Sequence, residues 1–592
     1  MVLRVVSFWV LIATGLASAA VWPRLERGLE LGADQGAVPA PVKKIQPSVV
    51  TLIAYDDKGG FIRQGSGFFS DQEGHVIGCL HVLHGASKVE IKTKAGKTFQ
   101  LTSVGTSDLQ ADLFSGQTNA TAADLADVNF SIAQPRVDDT VFVIGVGSGT
   151  EQPFVQGAIT AIREIPTFGR IIEVTAPISA SLSGAPIADD KGNVIAVALL
   201  PAVSAPNRFF ALPFNRLANL RQDRVGGNRA WAAGAQREWL STAIGENYTG
   251  LNYVWLEQYD KALPYFERLA KIHPNQAEPI FNAGFCHLKM NQWQEAADAF
   301  KLVTQMRQKQ ALAYQQLAIA LEKLNRWDEA VEARKEFSVL RANDPWALVD
   351  LGTAYGHLGK FDEELAACKQ ATQVKGDFFP GYYCQGLVYE RLEKWPEAVE
   401  ALKRASELAP ASIEALDDLG VAYGETKQWP EAIQAYRRAL TLRPDDTTAQ
   451  YNIGVAYGSS GQYADAVQAY LQEIKLKPDD ADAMDNLGIA YGKLGRWEEA
   501  VDTFKKLVEK KPDDPQIQDS LGSAYYKVGK YRESVEAHKI AVKLKPEAAK
   551  SHYNLAVAYL ALKERTAALE EYKTLKPLDP DLAAKLYALI GK

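Results

Sequence analysis

Three short strings in the first third of the chain carry side chains with complementary chemistry. Cys79-Leu80-His81-Val82-Leu83-His84-Gly85-Ala86 offers imidazoles, Asp108-Leu109-Gln110-Ala111-Asp112-Leu113-Phe114 offers a carboxylate ahead of an apolar run, and Ala176-Pro177-Ile178-Ser179-Ala180-Ser181-Leu182-Ser183-Gly184-Ala185-Pro186-Ile187 offers hydroxyls. A serine hydroxyl is a poor nucleophile at neutral pH. An adjacent imidazole must take its proton, and a buried carboxylate must hold that imidazole in the productive tautomer. The tetrahedral intermediate of acyl transfer also needs backbone N–H donors. A Ser-Gly-x-Pro turn is common, so no string is informative alone. The order His, Asp, Ser, with about thirty and then about seventy residues between them, says more.

Other candidate ligands give less. His84 lies three residues past His81, yet no third ligand follows at a helical spacing, so it reads as a loop residue and no metal is expected. His75, in Glu73-Gly74-His75-Val76-Ile77, reads as structural, at a turn entering a strand. The cysteines Cys79, Cys286, Cys368 and Cys384 form no Cys-x-x-Cys pair and read as buried thiols; a Cys368–Cys384 disulfide in an oxidising compartment is the alternative. No cofactor motif is present. A net charge of −7 and a pI near 5.8 leave no basic surplus for phosphates, which excludes nucleic acid as an expected partner.

The elements that must position these groups are short strands. From about Val42 to Leu220, apolar runs such as Val49-Val50-Thr51-Leu52-Ile53 and Thr140-Val141-Phe142-Val143-Ile144 alternate with Gly, Asp and Asn turns, the punctuation of an antiparallel barrel or sandwich. Residues 221–242 read as a polar linker. From Ala243 the chain repeats every 34 residues without insertion, at Ala277, Ala311, Pro345, Phe379, Ile413, Thr447, Ala481, Pro515 and Ala549. Such a period is that of a solenoid of helix pairs.

The first half resembles the HtrA-like serine proteases of the trypsin fold. His81 falls on the motif histidine, Asp112 on the motif aspartate and Ser183 on the nucleophile; Gly65-Ser66-Gly67-Phe68, Gly192-Asn193-Val194-Ile195-Ala196-Val197 and Phe210-Ala211-Leu212-Pro213 extend the likeness over nearly the whole β half. The resemblance implies an all-β double barrel over 42–220 that cleaves protein or peptide substrates, with His81 as base, Asp112 as orienting group and Ser183 as nucleophile. The amides of Ser181 and Ser183 would line the oxyanion hole. The chain departs from the family pattern at Ser181 and Ala185, where glycines are normal. Glycine reaches backbone angles that cost other residues about a kilocalorie or more, so an inactive, protease-shaped binding domain stays open beside a working endopeptidase. Uncharged Pro177, Ile178 and Ala196 to Ala198 would favour small apolar substrate side chains.

The second half resembles the tetratricopeptide repeat, ten copies over 243–582, with 583–592 as a cap. Its eighth position is small (Gly250, Gly284, Gly352, Gly420, Gly488), its twentieth is usually alanine, its eleventh is often tyrosine, and prolines such as Pro410, Pro546 and Pro580 are expected to stop the second helix. Glu364 and Ser534 replace the twentieth-position alanine, which predicts less regular packing there. First-helix positions expected to form a peptide-binding groove include Trp346, Tyr383, Asp417, Tyr451, Asp485, Asp519 and Tyr553, acidic groups interleaved with aromatics that suit an extended peptide or basic helix of a partner protein. No PDZ-like segment follows the protease half. The domain order predicts that the repeats recruit substrates or tether the protease, and that removing Ala243 to Lys592 spares cleavage of a short peptide.

Residues 1–19 have the form of a secretory signal: Arg4, an apolar core from Val5 to Leu16, then Ala17-Ser18-Ala19. Export to the periplasm or cell exterior follows. An uncleaved membrane tether is the alternative, although the core falls short of the roughly 20 residues that span a bilayer.

Overall fold

The structure, a computed structural model, describes residues 38–131, 133–146, 154–165, 168–199, 208–216 and 242–591. The signal and tether expectations, and the linker up to residue 241, lie outside the described residues. The chain divides into two compact units between Leu340 and Arg341.

The strands of the first unit are β1 (Val49–Tyr55), β2 (Phe61–Phe69), β3 (His75–Cys79), β4 (Lys88–Thr93), β5 (Thr98–Asp108), β6 (Leu113–Thr118), β7 (Thr140–Ile144), β8 (Phe154–Ile165), β9 (Gly169–Val174), β10 (Pro186–Ala188), β11 (Val194–Leu199) and β12 (Phe209–Pro213), and they close into two antiparallel barrels in the orders β1-β2-β3-β6-β5-β4 and β10-β11-β12-β9-β8-β7. Alternation builds the first: in β1 (Val49–Tyr55), Val50, Leu52 and Ala54 are buried and the residues between them are partly exposed. In the second, β11 (Val194–Leu199) is buried at every residue. The double barrel agrees with the sequence expectation.

Three repeats complete the first unit, and seven repeats with a final helix form the second. The eighth-position glycines are required by close approach. A Cβ on Gly420 would meet the Tyr436 ring at 2.5 Å, and one on Gly488 the Phe504 ring at 2.6 Å. The bulky twentieth-position residues are accommodated individually. Glu364 is buried and accepts a hydrogen bond from Arg391 of the next repeat at 2.7 Å. The Ser534 hydroxyl donates to the Gly522 carbonyl at 2.7 Å.

Three expectations need correction. Cys368 and Cys384 are joined in a disulfide with their Cα atoms 5.9 Å apart, while Cys79 and Cys286 are free and buried. Adjacent repeats bring the pair together, a proximity that a spacing rule cannot see. The second helix of repeat ten ends at Leu578, just before Pro580 as expected, but Pro580 also opens a further helix, Pro580–Ile590; Asp579 caps it by accepting from the Leu582 amide at 2.9 Å, so the capping element begins before residue 583.

The third correction concerns the border between the halves. In the first helix of repeat one, Ala243–Trp255, the side chains of Tyr248, Leu251, Val254 and Trp255 belong to the same hydrophobic core as both barrels. Trp255 packs on Phe168 and Phe210 with ring centroids 5.0 and 5.8 Å away. Arg163 and Arg208 each donate to a carbonyl at the end of that helix, those of Trp255 and Leu256, both at 3.2 Å, and Glu173 in β9 (Gly169–Val174) holds the two guanidinium groups. Removing everything from Ala243 onward would therefore uncover the barrel core. The truncation expected to spare peptide cleavage is not a neutral one.

Candidate functional site

His81 lies in a short 3₁₀ turn, Leu80–Leu83, that follows β3 (His75–Cys79). Asp112 stands just before β6 (Leu113–Thr118), and its left-handed backbone (φ 56°) lets the side chain turn back toward β3. Its carboxylate spans the histidine. Oδ1 accepts from the His81 backbone amide at 2.8 Å and Oδ2 is hydrogen-bonded to His81 Nδ1. Burial raises the Asp112 carboxyl above the usual aspartate range, and the hydrogen bond and charge of His81 oppose that. This pairing fixes the orientation of the imidazole ring.

Ser183 comes from the other barrel, on a loop whose 3₁₀ turn, Ala180–Leu182, leads to β10 (Pro186–Ala188). Strand β2 (Phe61–Phe69) of the first barrel clamps that loop: the Ser66 amide donates to the Ser183 carbonyl at 3.0 Å, and the Ser66 hydroxyl to the Ser181 carbonyl at 2.5 Å. Arg63 of the same strand donates to the His81 carbonyl at 2.8 Å. Within this loop, glycine is indispensable at Gly184. Its φ is +87°, and a Cβ there would lie 2.3 Å from the Ser66 carbonyl oxygen.

Neither Ser181 nor Ala185 has a positive φ. The two departures therefore carry no left-handed strain in this conformation. Part of the loop's hydrogen bonding is internal, with Leu182 N–H donating to Ser179 O and Ala185 N–H to Leu182 O, both at 3.0 Å. The Ser181 hydroxyl pairs with that of Ser179 at 2.7 Å.

Cys79, which sequence reasoning treated only as a buried thiol, sits within the site. Its Sγ is 3.2 Å from Ser183 Oγ, and the ligand atoms of Cys79, His81 and Asp112 lie within 4.8 Å of one another. Burial pushes the thiol well up, so it remains protonated rather than becoming a thiolate ligand. One clue was present in the sequence. Cys79 precedes His81 by two residues, a spacing that places both on one side of an extended chain. A cavity of about 620 Å³ beside the loop is lined by Gln64, Gly65, Ser66, Pro177, Ser179 and Ser181, with Lys92 and Lys94 also on its wall. Of the apolar residues expected to set specificity, Pro177 lines this cavity, whereas Ile178, Ala196 and Ala198 are buried. His75 bonds Asp71 at 2.8 Å, and His84 ends the 3₁₀ turn through its amide.

In the repeats the expected groove residues differ in environment. Trp346 is 51% exposed and packs edge-on against Phe378. Tyr383 donates to Asp418 at 2.8 Å, Tyr451 is buried and accepts from Asn486 at 3.1 Å, and Asp519 accepts from Asn554 at 3.1 Å. These three bonds form one motif, a fifth-position side chain tied to the sixth-position side chain of the following repeat. Asp417, Asp485 and Tyr553 are partly exposed. Burial raises the carboxyls of both aspartates, that of Asp417 to about 8.

With this geometry, the double barrel and its His, Asp and Ser side chains define a peptidase-like domain. The trypsin-like peptidase family matches residues 65–197, and tetratricopeptide repeat families match 256–317, 425–461, 451–515 and 520–583. The chain therefore carries a trypsin-like peptidase domain followed by multiple tetratricopeptide repeats. It is similar to the chloroplastic Protease Do-like 1 of Arabidopsis thaliana, 30% identical over 22% of this chain and 32% of that protein. It is also similar to the putative serine protease HhoA of Synechocystis, 26% identical over 28% and 43%, and to a probable periplasmic serine protease of the do/HhoA type from Haemophilus influenzae, 26% identical over 28% and 38%. The chain spans less than half the length of each of these relatives.

Proposed function

We propose that the protein is an exported serine endopeptidase whose repeats bring protein substrates or partners to it. The observation that carries this reading is the carboxylate of Asp112 spanning both the amide and Nδ1 of His81. With the Nδ1 proton directed to Asp112, Nε2 is left as the base. Ser183 Oγ attacks the scissile carbonyl while its proton passes to Nε2, and the amides of Ser181 and Ser183 hold the oxyanion. The imidazolium then gives that proton to the leaving amine, and water frees the acyl group by the same route in reverse. The Cys368–Cys384 bond supports export, because disulfides persist in oxidising compartments.

One observation favours a second reading, a scaffold in which both halves only bind: the internal hydrogen bonding of the nucleophile loop. A fluorophosphonate probe, which labels only an activated serine, decides between them. We expect labelling of the wild type and none of Ser183→Ala. An unlabelled wild type, with candidate partners present, would select the scaffold.

A further inference from the structure

Repeats five and six hold a concentration of buried acid that the fold leaves incompletely paired. Glu390 occupies the twelfth position, where Gly356, Gly424, Gly458 and Gly492 stand in other repeats. It is only 8% exposed, and its Oε1 is buried without a hydrogen-bond partner. Burial pushes the Glu390 carboxyl upward and the charge of Asp418, itself 6% exposed, adds to that; Asp418 also accepts the Tyr383 hydroxyl. Beside them Asp417 Oδ1 and the fully buried Tyr436 hydroxyl also lack partners.

The charges of Arg391 and Arg443 act on Glu390 and Asp417, but the ion pairs of both are made with other acids. Arg391 pairs with Glu364 at 2.7 Å, and Arg443 with Asp446 at 3.1 Å and Glu414 at 3.9 Å. Burying carboxyl groups without partners costs stability, and hydrogen-bonded charge compensation removes that cost. Glu414 is exposed and Asp417 partly so, which leaves a way in from solvent.

We propose that this cluster is a binding site for one cationic side chain, an arginine or lysine of a protein held by the repeats, received between Asp417, Asp418 and Glu390. The inference rests on the reading of the array as a protein-binding surface. A guanidinium or ammonium brings several N–H donors and no acceptor, the complement of unpaired carboxyl oxygens and a phenol. Glu390 then has a purpose: it places an acid where glycine leaves space in repeats four, six, seven and eight, and unlike Glu322 at the same position of repeat three, which pairs with Arg334, it keeps an unpaired oxygen.

Full-length Ser183→Ala protein, which cleaves no probe, is titrated with fluorescein-labelled octa-arginine and with octa-citrulline, its uncharged analogue, at physiological salt. Unfolded casein serves as a parallel protein probe. We expect octa-arginine to bind at least about tenfold tighter than octa-citrulline, and Glu390→Gln and Asp417→Asn each to reduce that preference about tenfold, the scale of one charged hydrogen bond. Asp513→Asn, which alters an exposed acid in a loop, should leave it unchanged. Thermal melts confirm that the variants fold. Casein bound with no preference for octa-arginine overturns the cation site and leaves protein binding standing; neither probe bound overturns both. A preference lost equally in Asp513→Asn also overturns the site, since it reports only the chain's negative charge.

Discussion

In the proposed mechanism, the contact between Cys79 and Ser183 makes the nucleophile answerable to a residue that takes no part in the proton transfers. A thiol 3.2 Å from the hydroxyl, kept neutral by burial, orients Oγ, and under the proposed mechanism it would compete with His81 for it. Replacing it with alanine should raise the second-order rate of fluorophosphonate labelling about fivefold, the worth of a weak hydrogen bond near 1 kcal/mol. Cys79→Ser, which restores a polar partner, should return the rate toward wild type. A slower alanine variant would mean that the thiol holds Oγ in its attacking position. His81, Asp112 and Ser183 could be singled out because acyl transfer demands their types and order, and the structure pairs the first two. Cys79 was not, because its importance comes from a contact made across two barrels by segments 104 residues apart.

Among the elements, the first helix of the first repeat serves two folds. Its small eighth-position Gly250 serves the solenoid, while Trp255 and Tyr248 fill the barrel core. Trp255→Ala should therefore destabilise the peptidase unit by about 3–5 kcal/mol, the cost of emptying a site sized for a buried indole. Differential scanning calorimetry would show the transition containing the barrels moving down. A barrel transition that stayed in place would mean that the two structures pack without depending on each other. The periodicity announced this helix without showing its second role. A 34-residue repeat records what each unit shares with its neighbours, and the barrel-facing Tyr248 and Trp255 are exceptions to it, aromatic where the sixth and thirteenth positions of most other repeats are polar, such as Asn486 and Lys493. The fifth-to-sixth-position bonds, such as Tyr451 with Asn486, were hidden for a related reason: polar side chains at those positions read equally well as a solvent-facing groove.

Across the whole molecule, the two halves draw their specificity from different physics. The barrels pair His81 with Asp112 and set Cys79 against Ser183 across segments distant in the chain, so a single misplaced loop there matters. The repeats distribute their stability over near-identical neighbours, so local exceptions such as Glu364, Glu390 and the Cys368–Cys384 bond can be added without altering the plan. That bond also has a mechanical consequence. Repeat arrays yield to a pulling force by peeling away one unit at a time, and a covalent tie between neighbouring repeats sets a stop in that sequence. Stretching single molecules of the second unit should release roughly 55 Å less contour length than the reduced form, the extended length of the loop that the bond closes. Repeats four and five, the second of which carries Glu390, would then be the part of the array that resists a tugging partner longest.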